Sequence, residues 1–278
     1  MKLTVQGREA YAYTGGKPFD AGAPCLVLIP GALHDHSVWA LQSRYLAHHG
    51  RSVLAVDLPG HGRSAGPALP DVEALGAWVA DLLAAAGVQR AALAGHSMGS
   101  LIALEAAAAL GERAIGLMLV ATAYPMKVSA ALLDTARDAP LKAIDMVNAF
   151  SHSTLAAKPS APGPGTWLHG ANRALMRRLQ AAYAAQHAGA NLFLHDFTVC
   201  DRYAGAAQAA ARVHCPAQLL LGDRDQMTSP KATAELVRLL NAEVRYLQAG
   251  HALMAEAPDG VLNALKAFLP APPKEVAA

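Results

Sequence analysis

Five short runs along the chain, at 26–29, 52–56, 91–94, 115–121 and 217–221, are apolar almost throughout, and a sixth strand-like run lies at 244–247. They lack the in–out alternation of a strand with one face in water, so they read as strands buried on both faces. Between them, apolar positions recur with helical spacing at 39–49, 72–86, 98–110, 231–240 and 258–268. Asp71 is placed to cap the second of these helices and Gly87 to end it. An amphipathic hairpin is expected before the first buried strand, near 3–5 and 9–13. Strand–helix alternation of this kind predicts an α/β protein with a mostly parallel central sheet and helices on both faces.

The alternation stops at about residue 122 and resumes at 214. The stretch 122–213 is helical in pattern, most clearly over 172–187, and is broken by a Pro/Gly-rich run at 159–165. It reads as a helical lid inserted into a core formed by 1–121 and 214–270, with 271–278 as a frayed, disordered tail. Insertion between two core strands puts it above their carboxyl ends, where open α/β sheets bind ligands. Phe150, Trp167, Leu168, Tyr183, Phe193, Phe197 and Tyr203 are its candidates for lining an apolar cavity or for holding the lid together.

Candidate chemistry concentrates at three strand ends. Gly95-His96-Ser97-Met98-Gly99 follows an apolar run and opens a helix, the strand–turn–helix context in which a strained elbow projects a serine hydroxyl. Ser97 is therefore the candidate nucleophile, and the helix that follows points its positive end at the place where negative charge would develop. A Cβ at Gly95 or Gly99 would press on the neighbouring strand or helix. A hydroxyl nucleophile needs a base and a group that orients it. His251, just past the last strand-like run, is the candidate base, and Asp223 and Asp225, at the end of the preceding strand, are candidate orienters.

The order Ser…Asp…His, together with four motifs along nearly the whole chain, resembles the α/β-hydrolase family. Residues 28–32 with Trp39 resemble its oxyanion loop, Pro30 standing where histidine is usual. Residues 57–64 resemble the turn after its next strand, and Gly250-His251 followed by Glu256-Ala257-Pro258 resembles its ending. The resemblance implies the α/β-hydrolase fold and a Ser97–His251–Asp225 triad. Asp225 is favoured over Asp223 by its place relative to Gly222 and Pro230, and the oxyanion amides would be those of Met98 and of Ala32, or one residue later at Leu33. Two-step acyl transfer to water needs no metal or organic cofactor. A small or medium, largely apolar carboxylic ester is the expected substrate. A C–C bond hydrolase, a hydroxynitrile lyase, a cofactor-independent dioxygenase or a hydrolase-fold ligand-binding protein with negligible turnover are the alternatives on the same fold.

Composition narrows the partners. A net charge of +2 with 16% charged residues supplies no basic stripe for nucleic acid, and no run is apolar enough for a membrane span. The N-terminus lacks an apolar signal core, and the three scattered cysteines fit reduced thiols, so a cytoplasmic protein acting on a small molecule is expected, with homo-oligomer formation left open. His34-Asp35-His36 has a His-x-His spacing, but no clustered ligand set follows it in the sequence. His34 and His36 read as solvated loop residues or as part of a pocket mouth. His61 and Asp57 read as structural, and His96 as packed beside the site without taking protons.

Overall fold

Eight strands and eleven α-helices are seen in a computed structural model that describes residues 1–153 and 168–269. The strands are β1 (Lys2–Val5), β2 (Arg8–Tyr13), β3 (Cys25–Ile29), β4 (Ser52–Val56), β5 (Ala91–His96), β6 (Ala114–Val120), β7 (Ala217–Gly222) and β8 (Glu243–Leu247). They form one sheet in the order β1-β2-β4-β3-β5-β6-β7-β8, in which β2 runs antiparallel to both its neighbours, β1 and β4, and all other neighbours are parallel. This is the α/β-hydrolase fold.

The continuous apolar runs are explained by what covers the sheet. Successive strand residues point to opposite faces, so β3 divides its side chains between two cores. Val27 and Ile29 join Leu54 and Leu93 beneath α2 (Val72–Ala85) and α3 (Met98–Leu110). Leu26 and Leu28 join Val53, Ala92 and Ala94 beneath Trp39, α1 (Ala40–Ala47) and α11 (Pro258–Phe268). Helix α3 is buried nearly all round because it lies against both the sheet and α2. Ser97 immediately precedes its first residue, so this serine is attached to an enclosed helix.

Helix ends follow local chemistry. Asp71 caps α2 by accepting the Ala74 N–H, and Gly87, at φ +74°, follows its end. The helix expected over 39–49 begins earlier and in two parts: the Asp35 carboxylate accepts the Ser37 N–H and starts a 3-10 turn at His36–Trp39, which leads into α1. A 3-10 turn at Pro230–Thr233 likewise precedes α9 (Ala234–Leu240).

Between β6 and β7 the chain forms α4 (Ala130–Asp138), α5 (Pro140–Ser151), α6 (Leu168–Gln186), α7 (Leu192–Arg202) and α8 (Ala206–Ala210). Helix α10 (Leu253–Glu256) follows β8. The expected loop at 159–165, Trp167 and the tail at 271–278 lie outside the described residues. Among the described residues no helix is long and apolar enough to cross a membrane.

Candidate active site

Strand order reverses beside β3: the chain steps to β4 on one side and then crosses to β5 on the other. Loops at the carboxyl ends of β3 and β5 therefore diverge and leave a crevice, the usual ligand position in an open α/β sheet. Ser97 stands in that crevice at φ +53°, ψ −122°, a conformation a non-glycine residue keeps only when its surroundings enforce it. The flanking glycines are the enforcement. A Cβ on Gly95 would lie 1.9 Å from the Gly99 carbonyl oxygen, and one on Gly99 would lie 2.4 Å from that of Pro30. Gly31 packs less closely from the β3 side, where a Cβ would sit 3.1 Å from Ser97 Cβ.

His251 reaches the same crevice from the loop after β8. Its Nδ1–H donates to Asp225 Oδ2 at 2.9 Å, and both side chains are buried. Asp225 Oδ1 accepts the N–H groups of Met227 (2.8 Å) and Thr228 (2.9 Å). The Thr228 hydroxyl lies 2.7 Å from Asp225 Oδ2 and 3.1 Å from His251 Nδ1. Burial opposes charge on Asp225, but His251 and the Thr228 bonds outweigh it and bring the carboxyl pKa to about 2. Asp223 is exposed and accepts only the Ala249 N–H, at 3.2 Å. His96 ties the two halves of the crevice together: its Nε2–H donates to the His251 carbonyl at 2.8 Å. Burial and the neighbouring His251 push its pKa well down, so it stays neutral.

The loop after β3 departs from expectation. His34 is not a solvated loop residue: Nδ1 lies 2.8 Å from the Ala32 carbonyl oxygen and Nε2 2.7 Å from Asn172 Oδ1 on α6, and a neutral ring donates to one of them. Two oxygens flank this ring and favour a second proton, yet burial prevails and holds its pKa below the ordinary histidine value. The Leu33 N–H donates to Asp196 Oδ2 on α7 (2.7 Å), and the same oxygen accepts from His61 Nε2 (2.8 Å). His36 bonds Asp57 Oδ1 at 2.7 Å. Asp35, His36 and Asp57 thus form a cluster not foreseen in the sequence, with one ligand atom of each within 4.8 Å of the others. Their carboxylate oxygens already accept Ser37 and Arg178 at Asp35, and His36 and the Arg63 N–H at Asp57, which fits a hydrogen-bonded loop anchor better than a cation cage.

Two cavities flank the serine–histidine region. One of about 310 Å³ is bordered by Ala32, Ser97, Met126, Phe150, Phe197 and Met227. The other, about 450 Å³, is bordered by His34, His96, His152, Asn172, Arg178 and His251. Of the aromatic candidates, Phe150, Phe197 and also Leu168 reach a cavity. Phe193 stacks on Phe197, Tyr183 meets His187 ring to ring at a tilt, and the Tyr203 hydroxyl donates to Glu105. Thr228, Asn172, Arg178 and Asp196 were not singled out from the sequence. Only Thr228 carried a local signal, an Asp-x-x-Thr spacing that suits an Asx-type turn.

Residues 26–264 match the family model described as the alpha/beta hydrolase family. A putative carbamate hydrolase, RutD, of Shigella flexneri is 27% identical over 250 residues, 88% of this chain and 90% of that protein. A dihydrolipoyllysine-residue acetyltransferase component of the acetoin cleaving system of Pseudomonas putida is 41% identical over 106 residues, which span 37% of this chain and 28% of that protein. The crystal structure of the enol-lactonase from Burkholderia xenovorans LB400 superposes with a TM-score of 0.77 at 23% identity, covering 96% of this chain and 99% of that one. With that match across nearly the whole chain, the protein belongs to the alpha/beta hydrolase family.

Proposed function

We propose that the protein is a serine hydrolase that cleaves a small or medium, largely apolar carboxylic ester through an acyl-enzyme. The observation that carries this reading is the buried His251–Asp225 pair, held at 2.9 Å and tied through the His251 carbonyl to His96, the chain neighbour of a serine at φ +53°. Asp225 fixes the tautomer in which His251 Nδ1 carries hydrogen, which leaves Nε2 to take the Ser97 proton as Oγ attacks the carbonyl. The anionic oxygen is received by the backbone N–H groups of Met98 and Ala32. Leu33, the other candidate, has its N–H engaged by Asp196. His251 then protonates the leaving group, and a water attacks the acyl-enzyme by the same route.

Helices α4 to α8, between β6 and β7, act as a lid over this site. Its apolar side chains at the Ser97 cavity suit an acyl chain, and the histidine-rich cavity on the other side suits a more polar leaving group. The similarity to a protein named as a carbamate hydrolase makes carbamates a second substrate class.

The test is a panel of esters and one carbamate, run beside a phosphonate probe whose adduct is mapped by mass spectrometry. Ser97→Ala is expected to lose roughly 10⁴- to 10⁶-fold in kcat while keeping its fold. An active Ser97→Ala variant, or an adduct on another serine, would overturn the assignment.

A further inference from the structure

Three consecutive residues of the loop after β3 are each gripped by a different side chain from the helical segment between β6 and β7. Asp196 of α7 accepts the Leu33 N–H at 2.7 Å. Asn172 of α6 meets His34 Nε2 at 2.7 Å, and Arg178 of α6 donates to Asp35 Oδ2 at 2.9 Å. The grips are themselves braced. Asn172 donates to Asn148 Oδ1 on α5 (3.0 Å), Asn148 donates to the His169 carbonyl (2.9 Å), and Asp196 is paired with buried His61.

The loop needs such support. It lies past the end of β3 and beyond the sheet's ladder, and Leu33 sits at φ +53°, in the left-handed region that a leucine keeps only when held there. It also passes close to the nucleophile, since a Cβ on Gly31 would lie 3.1 Å from Ser97 Cβ, a tight contact. The preceding amide, that of Ala32, is one of the two oxyanion donors in the reading above. A preorganised donor loses its effect when it drifts by about 1 Å, at a cost of order 10²-fold in rate.

We infer that Asn172, Arg178 and Asp196 are positioning residues for the Ala32 amide, so that seating of the helical segment sets the geometry of the oxyanion site as well as the shape of the pocket. None of the three touches the reacting atoms; they act through Leu33, His34 and Asp35. The inference rests on the Ser97 mechanism. It makes turnover, and not substrate binding alone, depend on how the helical segment is attached.

The experiment is pre-steady-state hydrolysis of an activated aryl ester by the full chain, with wild type, Asn172→Ala, Arg178→Ala, the double variant and Arg178→Lys. Burst amplitude reads the fraction of molecules with a competent serine, and burst rate reads transition-state stabilisation per competent site. Both altered side chains are partly exposed at their own positions, so the variants are expected to fold, with thermal midpoints near that of wild type. The double variant is expected to lose on the order of 10²-fold in burst rate at saturating substrate, with burst amplitude within about threefold of wild type. Arg178→Lys, which keeps a cation opposite Asp35, is expected to recover most of the Arg178→Ala loss. A double variant with the wild-type burst rate, or one whose whole loss lies in amplitude, overturns the inference and leaves the Ser97 mechanism standing. A wild-type chain with no burst and no adduct on Ser97 overturns both.

Discussion

Asp223 and Asp225 stand two residues apart on one turn, yet one is exposed and the other is buried, with four hydrogen bonds from three residues, an imidazole among them. Asp225→Asn keeps the shape but can turn an amide N–H toward His251 and favour the wrong tautomer, so kcat is expected to fall roughly 10⁴-fold. Asp223→Asn is expected to change kcat less than about threefold, because it disturbs one long bond to Ala249 at the surface. Steady-state kinetics on the two variants decides, and the reverse ranking would move the orienting role to Asp223. In the sequence only the family resemblance favoured Asp225, since both acids follow the same strand and a turn aspartate looks the same whether it faces water or a histidine. Ser97 was legible because its constraint is local: two glycines within two residues leave their mark in the sequence. Asp196 was not, because its partner Leu33 is 163 residues away and the bond uses a backbone N–H that no side chain advertises.

Among the elements, the most legible were those buried on both sides. β3 through β7 announced themselves as unbroken apolar runs because helices cover both faces of the sheet, and α3 did so because it is enclosed by the sheet and α2. Less legible were starts set by side chains, such as the 3-10 turn that Asp35 initiates before α1. The Asp71 cap lies at a surface where packing does not obscure its contribution. Asp71→Ala is expected to cost about 1 kcal/mol through loss of the bond to Ala74 N–H, read as a lower urea midpoint with an unchanged m value. A midpoint equal to wild type would mean that water caps α2 equally well.

At the scale of the whole molecule, two buried histidine–aspartate pairs impose opposite pH dependences on stability. Asp225 has its folded pKa lowered to about 2, below an unfolded value near 3.9, so its contribution is present above roughly pH 4 and is lost as pH falls toward 2. His61 goes the other way. Burial opposes its charge, but Asp196 overcomes that and raises the pKa, so its contribution is full below an unfolded value near 6.5 and fades as pH rises through the raised folded value. Urea unfolding across pH should therefore show Asp225→Asn converging on wild type in acid. His61→Gln should diverge from wild type most at the acid end of the range from about pH 5 to 9. Parallel curves throughout would rule out both couplings.

The position of the helical segment also bears on the order of folding. Val120 pairs with Leu220, so joining β6 to β7 closes a loop of about 100 residues, whereas β5 meets β6 after a single helix. That long closure is a kinetic seam, expected to form after the strands before it have associated. Ser97 and Ala32 lie on the early side of the seam; Asp225 and His251 lie on the late side. In refolding from urea, far-ultraviolet dichroism should recover in part before any hydrolytic activity returns, and activity should track the slowest phase. Recovery of activity in the first phase would show that the two halves of the sheet fold as one.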